Sequence, residues 1–154
     1  MATALDLIAS SNQRPIRKLY IKRRNLDGSY ESNWVRIDNI NSQNRVDSWG
    51  SFTESIDSDP GDIANYDVSG TTYVLFNTEG EFSVETEYTS IWYGYLNRKY
   101  TKIKCDCGYY DDVGNEVGVT TVFEGIIDRV TISEDQKANV QCLSYVAILQ
   151  QYNI

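Results

Sequence analysis

The side chains that most often carry out catalysis are missing from this sequence or poorly placed in it. None of the 154 residues is a histidine, so the commonest general base and metal ligand is absent. Glu85 and Glu87 could be read as the acid and base of a glycosidase, with Trp92, Tyr93 and Tyr95 as sugar platforms. However, residues i and i+2 of one strand lie side by side and not across a cleft. We therefore expect exposed acids and a protein that is not an enzyme.

Two groups of acidic side chains have the spacing of short oxygen-rich loops: Asp57, Asp59 and Asp62, and Asp111, Asp112 and Glu116. An EF-type calcium loop requires a bidentate glutamate at its twelfth position, and counting from Asp57 that position is Val68. Short acidic loops are common and non-specific, so we interpret both groups as solvated turns. The sequence predicts no metal site and no cofactor.

The three cysteines are Cys105, Cys107 and Cys142. An odd count does not fit a disulfide framework, and a zinc site would lack its fourth ligand. Cys105 and Cys107 point to the same face of one strand, too far apart to bridge comfortably. We interpret all three as small apolar core residues of a chain made in a reducing compartment.

The net charge of −8 is distributed unevenly along the chain. Residues 1–50 carry eight basic and five acidic side chains, residues 51–100 carry two and nine, and residues 101–154 carry four and eight. Six of the eleven residues from Arg14 to Arg24 are basic, but Leu19 and Ile21 alternate with them, which indicates a strand with one charged face. The acidic remainder would repel phosphates, so we expect no nucleic-acid binding. No apolar run approaches a membrane span and the start does not resemble a signal peptide, so we expect no membrane partner.

The stretch from Val119 to Leu149 contains the element around which the chain is organised. Within Thr121–Val130, apolar residues form two sets on opposite faces of an extended chain: Val122, Ile126 and Val130, and Phe123 and Ile127. A strand that is apolar on both faces is a central strand, and Gly125 within it marks a bulge, a bend or a close backbone approach. After a second strand, four residues recur at helical spacing: Tyr145, Ile148, Leu149 and Tyr152.

The remainder of the chain also has the chemistry of strands, because β-branched and aromatic residues are abundant. Asp27-Gly28 between two extended runs indicates a hairpin. Seven to nine strands at this spacing predict an all-β fold, an antiparallel β-barrel or sandwich with a short C-terminal helix. We expect an N-terminal arm over residues 1–15 and a single domain over residues 16–154.

Three stretches, in this order, resemble one protein family. Asn77-Thr-Glu-Gly-Glu-Phe-Ser83 resembles the N-x-[DE]-G-x-F segment of the tail-hub and baseplate proteins of tailed bacteriophages. Residues 103–110 followed by 122–130 are similar to that family's pair of strands ending in an F-x-G turn, and residues 140–149 are similar to its closing strand and helix. The residues that carry the resemblance are Asn77, Gly80, Phe82, Phe123, Gly125, Cys142 and Leu149.

The resemblance implies a β-barrel module at the tail tip that joins the tail tube to tip structures and works as part of a ring. We therefore expect a structural virion protein, made in the bacterial host cytoplasm, whose partners are other copies of itself and other phage tail proteins. In a head-to-tail ring, a basic surface can dock on a neighbour's acidic surface. The predicted assembly interface consists of Arg17, Lys18, Lys22, Arg23 and Arg24. The alternative is a non-catalytic carbohydrate-binding module that recognises a host glycan through Trp92, Tyr93 and Tyr95.

Overall fold

The computed structural model describes residues 14–51, 54–57, 65–68, 70–83, 100–145 and 148, and for residues 54–57 and 65–68 it describes the backbone alone. Eleven strands lie in these ranges: β1 (Arg14–Lys22), β2 (Val35–Arg36), β3 (Asn39–Ile40), β4 (Gln43–Asn44), β5 (Val46–Ser48), β6 (Glu54–Asp57), β7 (Asn65–Val68), β8 (Thr71–Phe76), β9 (Lys102–Tyr110), β10 (Glu116–Ile132) and β11 (Lys137–Ser144). The all-β prediction is confirmed. Because β1 begins at Arg14, the predicted boundary between arm and domain at residue 15 falls inside a strand.

Seven strands form the main sheet, in the order β2-β1-β9-β10-β11-β8-β5, and β3-β4 and β6-β7 form two separate pairs. Every paired strand is antiparallel to its neighbour. β10 is the fourth of the seven strands, with β9 on one side and β11 on the other. The central position predicted for this strand is therefore confirmed.

The main sheet is strongly curled. In a flat sheet, β1 and β8 would be about 19 Å apart, because four strand spacings separate them. Here the Leu19 N–H of β1 donates to Asp38 Oδ1 (2.8 Å), and the Asp38 carbonyl accepts from Arg45 N–H (2.8 Å). The Arg45 carbonyl in turn accepts from Phe76 N–H of β8 (2.8 Å). Asp38 and Arg45 thus bridge the two sides of the sheet, although β2 and β5 are not paired and the predicted barrel is not closed.

The concave face of the curled sheet carries one hydrophobic core: Leu19, Ile21, Ile37, Val46, Tyr73, Leu75, Phe82, Ile103, Cys105, Phe123, Ile127, Ala138, Val140 and Cys142. The rings of Tyr73 and Phe123 meet edge to face, with their centroids 6.2 Å apart. Leu19 and Ile21 are fully buried, as their alternation on β1 predicts. All three cysteines are free, and the predicted burial is confirmed for Cys105 and Cys142, whereas Cys107 is half-buried.

Bulges in β10 change which face its side chains occupy. Phe123 and Ile127 are in the core as predicted, but Val122 and Val130 also pack against the core and do not face away from it. The pairing register shifts between Thr121 and Phe123 and again between Ile127 and Arg129. Each extra residue reverses the alternation of faces. The strict two-face assignment is therefore wrong for Val122 and Val130.

The predicted turn at Asp27-Gly28 is confirmed. Asn25 N–H donates to the Ser29 carbonyl (2.7 Å), and Arg24 and Tyr30 form an antiparallel bridge. Gly28 has a φ of +88°, a left-handed conformation that glycine adopts without strain. The chain therefore leaves β1 and returns beside it within a few residues.

The predicted C-terminal helix is not supported. β11 continues to Ser144, and of the four residues that suggested the helix only Tyr145 and Ile148 are described. Leu149 and Tyr152 lie outside the described residues. Within the described ranges, no helix has the length and hydropathy to cross a membrane.

Candidate functional site

The family-like loop from Asn77 to Ser83 is held together by its own asparagine. The buried Asn77 side chain accepts the Phe82 N–H at Oδ1 (2.7 Å) and donates from Nδ2 to Ser83 Oγ (2.8 Å). Gly80, at a φ of +69°, donates its N–H to the Asn77 carbonyl (2.9 Å). A short asparagine side chain can bond the backbone of its own turn in this way. The loop consequently turns back and inserts the Phe82 ring into the core, where it is 2% exposed.

Arg45 joins this loop to the segment that bridges the sheet. Its buried guanidinium lies 2.8 Å from Glu81 and 3.8 Å from Glu79, while its backbone bonds to Asp38 and Phe76. A buried arginine is costly unless its charge is paired, and Glu81 supplies that charge for Arg45, although Arg45 Nε has no hydrogen-bond partner among the described residues. The two glutamates of the family-like loop therefore help to fix the curl of the sheet.

The other family-like residues also lie in tightly packed positions. A Cβ on Gly125 would lie 2.1 Å from the Leu143 carbonyl oxygen, so of the three alternatives for this glycine (a bulge, a bend or a close backbone approach) the structure shows the close approach. Phe123 is in the core, and burial raises the pKa of the Cys142 thiol well above its usual value. Leu149 lies outside the described residues. The described members of the motif thus form the core and its close contacts, with no reactive side chain exposed to solvent.

Two cations of the predicted assembly interface form ion pairs within the chain. Lys18 is buried and pairs with Glu116 of β10, 98 residues away. Arg23 pairs with Glu31 across the hairpin that follows β1. These charges are partly neutralised by neighbours that the strand pattern alone does not indicate.

Aromatic rings engage two further cations of that interface. Lys22 Nζ lies 5.7 Å from the centroid of the Trp34 ring. Arg24 donates to the Gly28 carbonyl (3.2 Å) and lies 5.3 Å from the centroid of the Tyr100 ring. Cation–π contacts of this kind fix long basic side chains along a surface.

Arg17 differs from the other four. It is exposed, and no ion pair is described for it. On β1 it alternates with Lys18 and so shares the face of Leu19 and Ile21. Arg17 therefore projects beside the core, at the rim of a cleft.

This cleft has a volume of about 290 Å³ and opens on the concave face. Its lining comes from β1, β8, β9 and β10 and from the residues that follow β5: Arg17, Trp49, Gly50, Ser51, Tyr73, Cys105, Cys107 and Val122. Most of these side chains are apolar or only weakly polar, and Arg17 supplies the one formal charge among them. Ligand pockets have this composition, with a few polar groups that fix orientation.

Tyr73 supplies the most deeply buried polar group of the cleft. The residue is 1% exposed, and its hydroxyl has no oxygen or nitrogen partner among the described residues. It lies beside the Cys105 thiol, which is a weak hydrogen-bonding group. Burial, with the neighbouring thiols, raises the pKa of Tyr73 far above its usual value. Burial also raises the pKa of Cys105 to about 12, with the nearby Cys107 adding to the effect.

Of the two acidic groups considered as calcium sites, Asp111, Asp112 and Glu116 are described, and Asp111 and Glu116 bond to neighbours within the chain. Asp111 Oδ1 accepts the Asn115 N–H (2.7 Å) and its Oδ2 accepts the Asn115 amide (3.0 Å), so this carboxylate closes its own turn. Glu116 pairs with Lys18. Among the residues that the structure describes, no group of three His, Cys, Asp or Glu could hold a metal ion. Seven residues considered as metal, catalytic or sugar-binding candidates lie outside the described ranges: Asp59, Asp62, Glu85, Glu87, Trp92, Tyr93 and Tyr95.

Sequence reasoning missed Asp38, Arg45 and Tyr73. The sequence shows the polar loop between Asp38 and Arg45, but it does not show that the Asp38 carboxylate bonds to Leu19 of β1, 19 residues earlier. Tyr73 alternates with Leu75, which could have predicted its burial. Its unpartnered hydroxyl depends on strands that are distant in sequence.

No protein-family model matches this chain, and no curated protein matches it.

Proposed function

We propose that the chain is a structural protein of a bacteriophage tail tip or baseplate hub, an assembly module that joins the tail tube to tip structures. The supporting observation is that the three family-like stretches, distant in sequence, contribute to one core. Phe82 of the loop lies in the same core as Phe123 of the strand pair and Cys142 of the closing strand. In this proposal the curled sheet corresponds to the β-barrel module of that family.

The proposed work is done by interfaces and not by a catalytic centre. We infer a ring-like homo-oligomer that also contacts other tail proteins, with the basic surface of one copy against the acidic surface of the next. Within the predicted interface, Arg17 is the exposed cation that is available for such docking, because Lys18 and Arg23 are paired within the chain. Such an interface weakens as salt screens its charges.

Light scattering and electron micrographs of the purified chain test this proposal. We expect a closed ring at low ionic strength that dissociates as salt rises, and we expect Arg17→Glu to weaken assembly without unfolding the chain. Arg129→Glu is the matched control, since Arg129 is an exposed arginine on β10. A parent chain that stays monomeric at low salt contradicts the ring. Equal loss of assembly in both variants contradicts the role of Arg17.

A further inference from the structure

We propose that the cleft between Arg17 and Tyr73 binds a small amphipathic carboxylate, a compound with one aromatic ring or a similar apolar body. The carboxylate contacts Arg17 at the rim, and the body lies against Trp49 and Val122. This binding site goes beyond the structural role proposed above. Both proposals use Arg17, but one predicts assembly and the other predicts ligand binding, which are measured separately, so either can fail without the other.

The size of the cleft limits the ligand. An apolar cavity of about 150 Å³ holds one benzene molecule. The cleft, at about 290 Å³, has roughly twice that volume and lies at the lower end of the range for ligand pockets. It therefore has room for one ring with a short carboxylate substituent, but a nucleotide or an oligosaccharide exceeds it.

The lining of the cleft favours a ligand with an apolar body. Tyr73 lines the cleft, but its hydroxyl is nearly inaccessible to solvent and lies beside the Cys105 thiol. A ligand in the cleft therefore meets the ring of Tyr73 and not its hydroxyl. Burial of an apolar body against this ring, Trp49 and Val122 is favourable because it removes apolar surface from water.

The charge of the cleft selects an anion. Among the described residues that line the cleft, Arg17 alone is charged, and a guanidinium binds a carboxylate through two parallel hydrogen bonds. The Cys105 thiol stays protonated at neutral pH, because burial raises its pKa. The described lining beside Arg17 is therefore neutral, which suits an apolar body and not a second charge.

Nuclear magnetic resonance with two probes tests the site. Benzoate and benzyl alcohol are similar in size, but benzoate alone carries a charge. We expect benzoate to give saturable shifts at the resonances of Tyr73 and Val122, and benzyl alcohol to bind more weakly. Arg17→Gln should weaken benzoate about tenfold and leave benzyl alcohol unchanged. Arg129→Gln, which removes the same charge outside the cleft, should change neither probe.

Tyr73→Phe provides the second variant, because it removes the hydroxyl and keeps the ring that contacts Phe123. Because the hydroxyl is nearly inaccessible to solvent, we expect Tyr73→Phe to leave benzoate binding unchanged, and a loss as large as that of Arg17→Gln would contradict the placement of the ligand in the cleft. Light scattering on the same samples separates ligand binding from any change in assembly. The absence of a saturable shift with benzoate overturns the proposal, because water alone would then occupy the cleft. Equal binding of the two probes, or no effect of Arg17→Gln, overturns the assignment of a carboxylate.

Discussion

Asp38 provides the sharpest test of how the sheet is curled. Its carboxylate is 4% exposed and takes the place of a backbone carbonyl where β2 leaves the sheet. Leu19 donates its N–H to Asp38 Oδ1 (2.8 Å) and accepts Ile37 N–H at its carbonyl (2.8 Å). Arg36 adds two bonds to the same carboxylate, at 2.9 and 2.8 Å. Removal of the carboxylate would therefore leave a buried N–H without an acceptor.

The expected cost follows from these contacts. An orphaned buried N–H costs about 1–3 kcal/mol, and the partly exposed pair with Arg36 adds about 1 kcal/mol or less. We therefore expect Asp38→Ala to lower the free energy of unfolding by about 1–4 kcal/mol. Asp38→Asn keeps an acceptor for Leu19 and loses the charge alone, so it should cost about 1 kcal/mol. Urea unfolding followed by circular dichroism measures both values. If the two variants are equally stable, the bond to Leu19 does not hold the curl.

Two further predictions concern Gly125 and the thiols. Gly125→Ala should lower the free energy of unfolding by more than about 3 kcal/mol or prevent folding, because the new methyl group would overlap a carbonyl of β11. Gly114→Ala is the control, since its Cβ would meet nothing within 4 Å. It should cost about 1 kcal/mol because the φ of Gly114 is +92°. Similar losses of unfolding free energy would refute the close approach. The folded pKa of Cys105, about 12, is above the unfolded value of about 8.5, so its stabilisation is complete below pH ~8.5 and is lost as pH rises towards 12. Unfolding under reducing conditions should show up to about 1.4 kcal/mol less stability per pH unit above that point, and Cys105→Val should lack this contribution. Identical slopes in parent and variant would contradict it.

The parts of the fold that could be predicted are those that depend on local periodicity. Leu19 and Ile21 on β1, and Phe123 and Ile127 on β10, are two residues apart or a multiple of two, and the pleat places each pair on one face. Val130 breaks this rule because its position depends on a bulge. A bulge depends on the register between two paired strands, and the sequence of one strand does not contain that information.

The candidate site was predictable only in part, for the same reason. Arg17 follows the pattern of its strand, but its availability depends on the pairing of its neighbours. Lys18 forms an ion pair with Glu116, 98 residues later in the chain, and this contact removes one charge from the predicted interface. The lone hydroxyl of Tyr73 likewise depends on the curl of the whole sheet, which brings β8 opposite β1. Contacts of this range are properties of the fold and not of a motif.

The placement of the family-like residues limits which experiments can report on function. Asn77, Phe82, Phe123 and Cys142 are buried, and substitution of any of them would lower stability whatever the chain does. A fold and its core are also compatible with many functions, so loss of activity in such variants would not identify one. Arg17 is exposed and outside this set, so Arg17→Glu can change assembly while the free energy of unfolding stays constant. A loss of assembly at unchanged stability would therefore show that Arg17 acts in an interface and not in the stability of the fold. Variants of the buried motif cannot make that distinction, because they change stability.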